Sequence, residues 1–194
     1  MERGGKLVNI SPEYGASSSK ADYWLTIRPN TDTALLLGVS KIIMDNDWHD
    51  KKFLKEFSDF PLLIRKDNLK RLKPEDFIQD YSNQLPKDGP SYKIHGLKKE
   101  QYDKIGDFTV FDKTTNSVKP LTREDVGTLL KKKKLDPALE WDGTIKGKEG
   151  KDIEVCTLFW AYKHIHLKDY DLDTVAQITH YNKKLIKKLA KDLA

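Results

Sequence analysis

Apolar positions along the chain fall into two periods, and the changes of period mark the elements. Lys6-Leu-Val-Asn-Ile10 is a short apolar run closed by Ser11-Pro12, and Tyr23 to Ile27 is a second, closed by Pro29. Both read as strands. Ala16 to Lys20, between them, is expected to make one helical turn. Thr31 or Asp32 can cap the next segment, where Leu35, Leu36, Val39, Ile42 and Ile43 recur at helical spacing. Asp50 is expected to cap a short helix whose apolar positions are Phe53, Leu54 and Phe57. Strand and helix alternating through short links imply a parallel sheet covered by helices.

Three zones follow from this pattern. Residues 1–66 form a Rossmann-like α/β segment. Residues 67–150 lose helical periodicity, and Gly, Pro, Lys and Asp recur, so this zone reads as an insertion. Within it Phe108–Asp112 and Ser117–Leu121 flank a turn and predict a β-hairpin, and Thr144 to Val155 predicts another. Residues 151–194 hold a strand and then helices. Asp171 starts one helix, with Leu172, Val175, Ala176 and Thr179 on a face. Asn182 starts the last, with Leu185, Ile186, Leu189, Ala190 and Leu193 expected inward. Tyr181 and Ile186 stand at the two positions of a hydrophobic staple.

Composition narrows the reading. The 194 residues suit one domain or slightly more. Hydrophobic residues make up 38% and charged residues 34%, a thin core under a heavily charged surface. Such a chain folds with a well-solvated exterior or leans on partner surfaces. The 35 basic and 30 acidic residues leave a net charge of +5, too balanced to demand nucleic acid. No apolar run approaches the length of a membrane span, and no export signal is visible at the N-terminus. Cys156 is the single cysteine, so neither a disulfide nor a cysteine-held iron–sulfur cluster forms within this chain.

In a parallel α/β sheet, ligands bind just beyond the carboxyl ends of strands. Two such ends are marked here, Ser11-Pro12-Glu13-Tyr14-Gly15 and Arg28-Pro29-Asn30-Thr31-Asp32. A carboxylate there can accept two hydrogen bonds from a guanine edge or a ribose diol. Backbone N–H groups at the start of a helix can face a phosphate. Spacing alone favours the plainer reading, in which Asp32 caps the helix and Glu13 is a loop residue.

Other constellations carry less. His164 and His166 would share a face on a strand but diverge on a helix, and no third ligand is evident. Lys131 to Lys134 reads as a solvated loop rather than a phosphate grip. Trp24, Trp48, Trp141 and Trp160 read as packing anchors, and Cys156 as an inert core thiol.

As strings, the residues say more. Gly5-Lys-Leu-Val-Asn-Ile-Ser-Pro-Glu-Tyr14 and Ala21-Asp-Tyr-Trp-Leu-Thr-Ile-Arg-Pro-Asn-Thr-Asp-Thr-Ala-Leu35 closely resemble the molybdopterin oxidoreductase, or dimethyl-sulfoxide reductase, family. Phe57-Ser-Asp-Phe-Pro-Leu-Leu-Ile-Arg65 and Asn68 to Asp76 look like the large catalytic subunit of its nitrate reductase and nitrite oxidoreductase branch. Leu167 to Thr179 and Leu185 to Leu193 resemble the family's later helices. The resemblance covers nearly the whole chain, most specifically its first third. The chain looks like an internal fragment of such a subunit.

The resemblance implies a molybdenum-bis(molybdopterin guanine dinucleotide) cofactor, with Ser11, Pro12, Glu13 and Tyr14 matching one binding turn and Asn30, Thr31 and Asp32 the second. Asp32 would then accept from guanine, and Glu13 from guanine or ribose. Asn30 stands where many members have Gly; Asn tolerates a left-handed backbone next best, so the turn can survive. His180 departs in the same way, where a glycine usually links the helices. The iron–sulfur cysteines, the molybdenum ligand and the second pterin site have no match in this chain. The implied partners are the remainder of the molybdenum subunit and an iron–sulfur electron-transfer subunit, with no nucleic acid and no direct membrane span. The implied setting is a membrane-associated complex facing the cytoplasm or a periplasm-like compartment. The implied reaction interconverts nitrite and nitrate. Chlorate, selenate or a hydrocarbon is an alternative substrate, and a non-catalytic assembly module an alternative role.

Overall fold

A computed structural model describes residues 4–84 and 98–194. In chain order the first elements are β1 (Val8–Ile10), a 3-10 turn (Ser18–Lys20), β2 (Tyr23–Leu25), α1 (Asp32–Asp45) and α2 (Lys51–Phe57). β3 (Leu63–Arg65), a second 3-10 turn (Pro74–Asp76) and α3 (Lys99–Ile105) come next. The hairpin strands β4 (Phe108–Asp112) and β5 (Ser117–Leu121) lead to α4 (Thr128–Lys132). β6 (Asp142–Lys146) and β7 (Asp152–Thr157) run into α5 (Leu158–Ala161) and a π-helical turn (Tyr162–His166). The chain closes with α6 (Leu172–Thr179) and α7 (Lys183–Leu193). Helices and strands mix, with both parallel and antiparallel pairing, as an α/β fold requires. The predicted hairpins are present, with Asp112 opposite Ser117 and Lys146 opposite Asp152.

The chain divides into two compact units, residues 1–49 with 163–194, and residues 50–162. In the first, β1 and β2 pair in parallel, with Val8 opposite Tyr23 and Ile10 opposite Leu25. The core beside them joins Leu25, Ile27, Leu35, Val39 and Ile42 to Val175, Ile186, Leu189 and Ala190. Each helix supplies one stripe. Leu36 is exposed because it stands one residue, about 100° of helix, from the stripe of Leu35, Val39 and Ile42. Leu193 shares the face of Ile186 but lies past Ala190, the last buried position of α7, and is exposed rather than inward. Asp171 and Asn182 cap α6 and α7 as expected. Tyr181 packs against the core beside Ile186, as a staple does.

Close approach within this unit depends on Gly38. A Cβ there would lie 2.5 Å from Val175 Cγ2 and 2.9 Å from Cγ1, so α1 and α6 meet where α1 has no side chain. α6 then stops at His180, which takes a left-handed conformation (φ 55°, ψ 36°) usually left to glycine.

In the second unit, β3, β7 and β6 form an antiparallel sheet, and β4 and β5 a separate hairpin. β3 comes from the zone before residue 67 and β7 from the zone after 150, so this unit is wider than the irregular stretch alone. Leu63, Leu72 and Val155 centre one cluster; Val110, Leu121 and Leu130 centre another. Asp112, fully buried, accepts from the N–H groups of Thr114, Thr115 and Asp136 and holds the hairpin turn, and its carboxyl lies below the ordinary range despite burial. Asp50 caps α2 as expected; none of the helix's residues is buried, and Phe53 and Phe57, which share a face at i and i+4, are exposed.

Three outcomes test this packing. Gly38→Ala adds the methyl that Val175 blocks. The overpacking, on the order of 1–3 kcal/mol, exceeds the gain in helix propensity of roughly 1 kcal/mol, so the urea midpoint falls; an unchanged midpoint would show that Val175 gives way freely. His180→Gly relieves a left-handed L-residue and is expected to raise stability by about 0.5–1 kcal/mol. The third concerns pH. Tyr23 donates to Asp192 Oδ2 at 2.9 Å, and burial together with that carboxylate pushes its hydroxyl from 10.0 up to about 12. A raised folded pKa contributes stability that is complete below pH 10.0 and is lost as pH rises toward about 12. Tyr23→Phe should flatten the alkaline limb of a stability–pH curve in that window and leave the neutral region's slope alone.

Candidate functional site

The site is built from the carboxyl ends of β1 and β2. Because the strands run parallel with Ile10 opposite Leu25, the two chains leave the sheet side by side. Ser11 N–H still donates to Leu25 O at 3.0 Å, one step past the ladder. The first turn then folds on itself. The Ser11 hydroxyl donates to Glu13 O at 2.6 Å and accepts from Glu13 N–H at 3.1 Å. A serine does this readily, because its short side chain mimics a backbone turn. Pro12, Glu13 and Tyr14 are thereby carried outward and are exposed.

Residues on β2 clamp this turn. The Trp24 indole N–H donates to Ser11 O at 2.8 Å, and the Tyr14 ring meets the Trp24 ring edge-on at 5.2 Å. Behind the turn, Asn9 Nδ2 donates to Ser18 Oγ at 2.6 Å. Asp22 accepts from Leu7 N–H at 2.7 Å. Trp24 therefore does more than pack: it ties the second strand to the first turn. Its sequence signature is that of any apolar anchor, which is why that role was not legible.

The second turn follows Ile27. Arg28 N–H donates to Thr179 O at 3.0 Å, and the Tyr181 hydroxyl donates to Trp24 O at 2.8 Å. The end of α6 thus braces β2 just before the turn. Asn30 is left-handed, φ 64°, as its tolerance for that region allows. Thr31 takes the helix cap position, but its hydroxyl turns back to Arg28 O at 2.5 Å and makes no capping bond. Asp32 is the first helical residue, not the cap. The plainer reading of Asp32 is thereby corrected, because the cap position went to the residue before it. Among the described residues the Asp32 and Glu13 carboxylates have no hydrogen-bond or ion-pair partner. α1 begins with a carboxylate on its positive end and no side chain closing its first turn.

The donor set fits a nucleotide. Two unpaired carboxylates can each accept from adjacent N–H or O–H groups of a base or sugar, and the open helix start offers N–H groups to a phosphate. The set does not fit a bare metal. Among the described residues no group of three His, Cys, Asp or Glu is assembled, and His164 and His166 lie in the π-helical turn rather than on a strand. Cys156 is fully buried in β7, where burial pushes its thiol up against the opposing pull of Lys66. The lysine run is helical up to Lys132, and two of its members are paired: Lys131 with Glu56 at 3.1 Å and Lys133 with Asp125 at 2.6 Å. No described helix is long and apolar enough to cross a membrane.

No family model matches the sequence. Individual proteins do. The perchlorate reductase subunit alpha of Dechloromonas aromatica (strain RCB) is 29% identical over 98% of this chain and 20% of its own length. The respiratory nitrate reductase subunit alpha of Haloferax mediterranei is 27% identical over 98% of this chain and 18% of its own. The dimethylsulfide dehydrogenase subunit alpha of Rhodovulum sulfidophilum is 30% identical over 42% of this chain and 9% of its own. The chain spans about a fifth of the length of the first two. Over nearly its whole length the chain is thus similar to alpha subunits of perchlorate and nitrate reductases, and over part of it to further subunits of molybdopterin oxidoreductases.

Proposed function

We propose that this chain is part of the molybdenum subunit of an oxidoreductase interconverting nitrite and nitrate, and that its own task is to hold one guanine dinucleotide of a bis(molybdopterin guanine dinucleotide) cofactor. The observation that carries the reading is the pair of adjoining strand-end turns, each exposing an unpaired carboxylate, Glu13 on one and Asp32 on the other. Similarity to alpha subunits named for nitrate and perchlorate supports a small oxyanion as substrate class.

When bound, the cofactor supplies oxygen-atom and two-electron chemistry at its molybdenum. The residues here bind and orient. Asp32 accepts from the guanine edge, its charge strengthening each bond. Glu13 accepts from guanine or ribose. Asn30 sets the left-handed bend that turns the chain into α1, and its amide adds a donor and an acceptor beside the base. Thr31 holds the bend closed through Arg28 O. Ser11 shapes the first turn, Pro12 stiffens it, and Tyr14 walls it against Trp24. The iron–sulfur cluster belongs to parts of the enzyme outside this chain. The remainder of the molybdenum subunit and an iron–sulfur electron-transfer subunit are its partners, in a membrane-associated complex.

Asp32→Ala in the complete enzyme tests the grip. Each charge-assisted bond is worth on the order of 1.5–3 kcal/mol, so losing a pair should lower cofactor affinity by roughly a hundredfold or more. Molybdenum and pterin content, measured at limiting cofactor, should fall with it, and Asp32→Glu should recover part. Full occupancy in Asp32→Ala would remove Asp32 from the site. Finding neither molybdenum nor pterin in the natively purified wild-type assembly would favour a non-catalytic assembly role.

A further inference from the structure

We infer that Tyr181 is a positioning residue for both carboxylate-bearing turns of the candidate site, acting through the outer edge of β2 and not by touching the ligand. The inference rests on the reading of those turns as the grip on a guanine dinucleotide.

Each strand of a two-stranded sheet has one edge that the other strand does not cover, and the backbone groups there need other partners. On the inner edge of β2, Leu25 O accepts from Ser11 N–H of the β1 chain. Trp24, Thr26 and Arg28 alternate with Leu25 and Ile27, so their backbone groups turn to the other edge. There the junction between α6 and α7 takes the place of a third strand. The Tyr181 hydroxyl donates to Trp24 O at 2.8 Å, and Thr26 N–H faces the same oxygen. Thr179 O accepts from Arg28 N–H at 3.0 Å. His180, between them, is left-handed, and that bend lets a carbonyl and a side chain two residues apart reach one strand edge.

The same three strand residues carry the two turns. The Trp24 indole N–H donates to Ser11 O at 2.8 Å, and the Thr26 hydroxyl donates to Pro12 O at 3.5 Å. Residues two apart on a strand share a face, so both reach the first turn. Arg28 O accepts from the Thr31 hydroxyl at 2.5 Å and from Thr31 N–H at 3.3 Å, so the second turn hangs from Arg28. Each residue that shapes a turn is therefore held from behind by the junction. Of these junction bonds only that of Tyr181 comes from a side chain. Its ring packs against the core beside Ile186, so the hydroxyl is delivered to the edge from a fixed base. Deleting that hydroxyl leaves Trp24 O and Thr26 N–H without it and loosens the stretch from Trp24 to Arg28 as one piece. The turn bearing Glu13 and the turn bearing Asp32 then lose their spacing together.

The test compares Tyr181→Phe, which keeps the ring and deletes the hydroxyl, with Ile42→Val, a core truncation of comparable cost in α1. Both are made in the complete enzyme, and hydrogen–deuterium exchange with mass spectrometry reads the two turns separately. In Tyr181→Phe, exchange at residues 11–14 and at residues 30–32 should each rise roughly three- to tenfold, as loss of one buried hydrogen bond implies. In Ile42→Val neither should. Molybdenum and pterin content at limiting cofactor should fall in Tyr181→Phe alone. No rise, a rise confined to one turn, or an equal rise in Ile42→Val would overturn the inference. So would unchanged cofactor content in Tyr181→Phe where Asp32→Ala lowers it. Full content in Asp32→Ala would instead sink the dinucleotide reading, and the exchange of the two turns would still decide whether Tyr181 positions them.

Discussion

The parallel register of β1 and β2 is the constraint on which the candidate site depends. Three paired residues on each strand bring two distant turns out of the sheet together. A slip by one residue would turn every side chain to the opposite face and send Leu25 out of the core. The register is short, so side chains have to reinforce it. At one end Leu7 N–H donates to the Asp22 carboxylate and Asp22 N–H donates to Leu7 O. The Trp24 indole closes the other on Ser11. The last helix adds Asp192, which binds Lys6 ahead of β1 and Tyr23 at the start of β2. Its carboxyl is held below the ordinary range by those two partners.

This bracing explains how a chain with few apolar residues keeps a defined site. The turns themselves are exposed and contribute little burial. Their shape comes from hydrogen bonds that begin on buried or half-buried residues: Thr179 and Tyr181 behind the second turn, Asn9 and Ser18 behind the first. The exposed carboxylates are then spared from structural duty. That separation of labour suits a ligand grip, in which the groups that bind should not also be needed to hold the fold.

Much of this was legible in the sequence because each element is local. Helix starts at Asp50, Asp171 and Asn182 follow from short polar side chains placed just ahead of periodic apolar ones, and the hairpins from turn residues between alternating strands. The candidate turns show in the sequence as strand ends, and the ligand expected at them is implied by the family's strings rather than by spacing. What stayed hidden is long-range. That Trp24 reaches Ser11, or that β3 pairs with β7 across the irregular zone, has no local signal. Periodicity shows that α2 has an apolar stripe but not whether that stripe faces the core. The assignment of the cap to Thr31 and not Asp32 turns on one residue, the scale at which helix ends are least determined by sequence.

The meeting of α1 and α6 at Gly38 and Val175 has an evolutionary consequence. The two positions share a single small volume, so they should not drift independently. A lineage that gains a methyl at position 38 packs better if it also loses bulk at 175, so alanine at both positions costs less than alanine at 38 alone. Sequence comparison within the family would then show these columns varying as one, coupling the helix that opens at Asp32 to the helix whose end braces the strand before it.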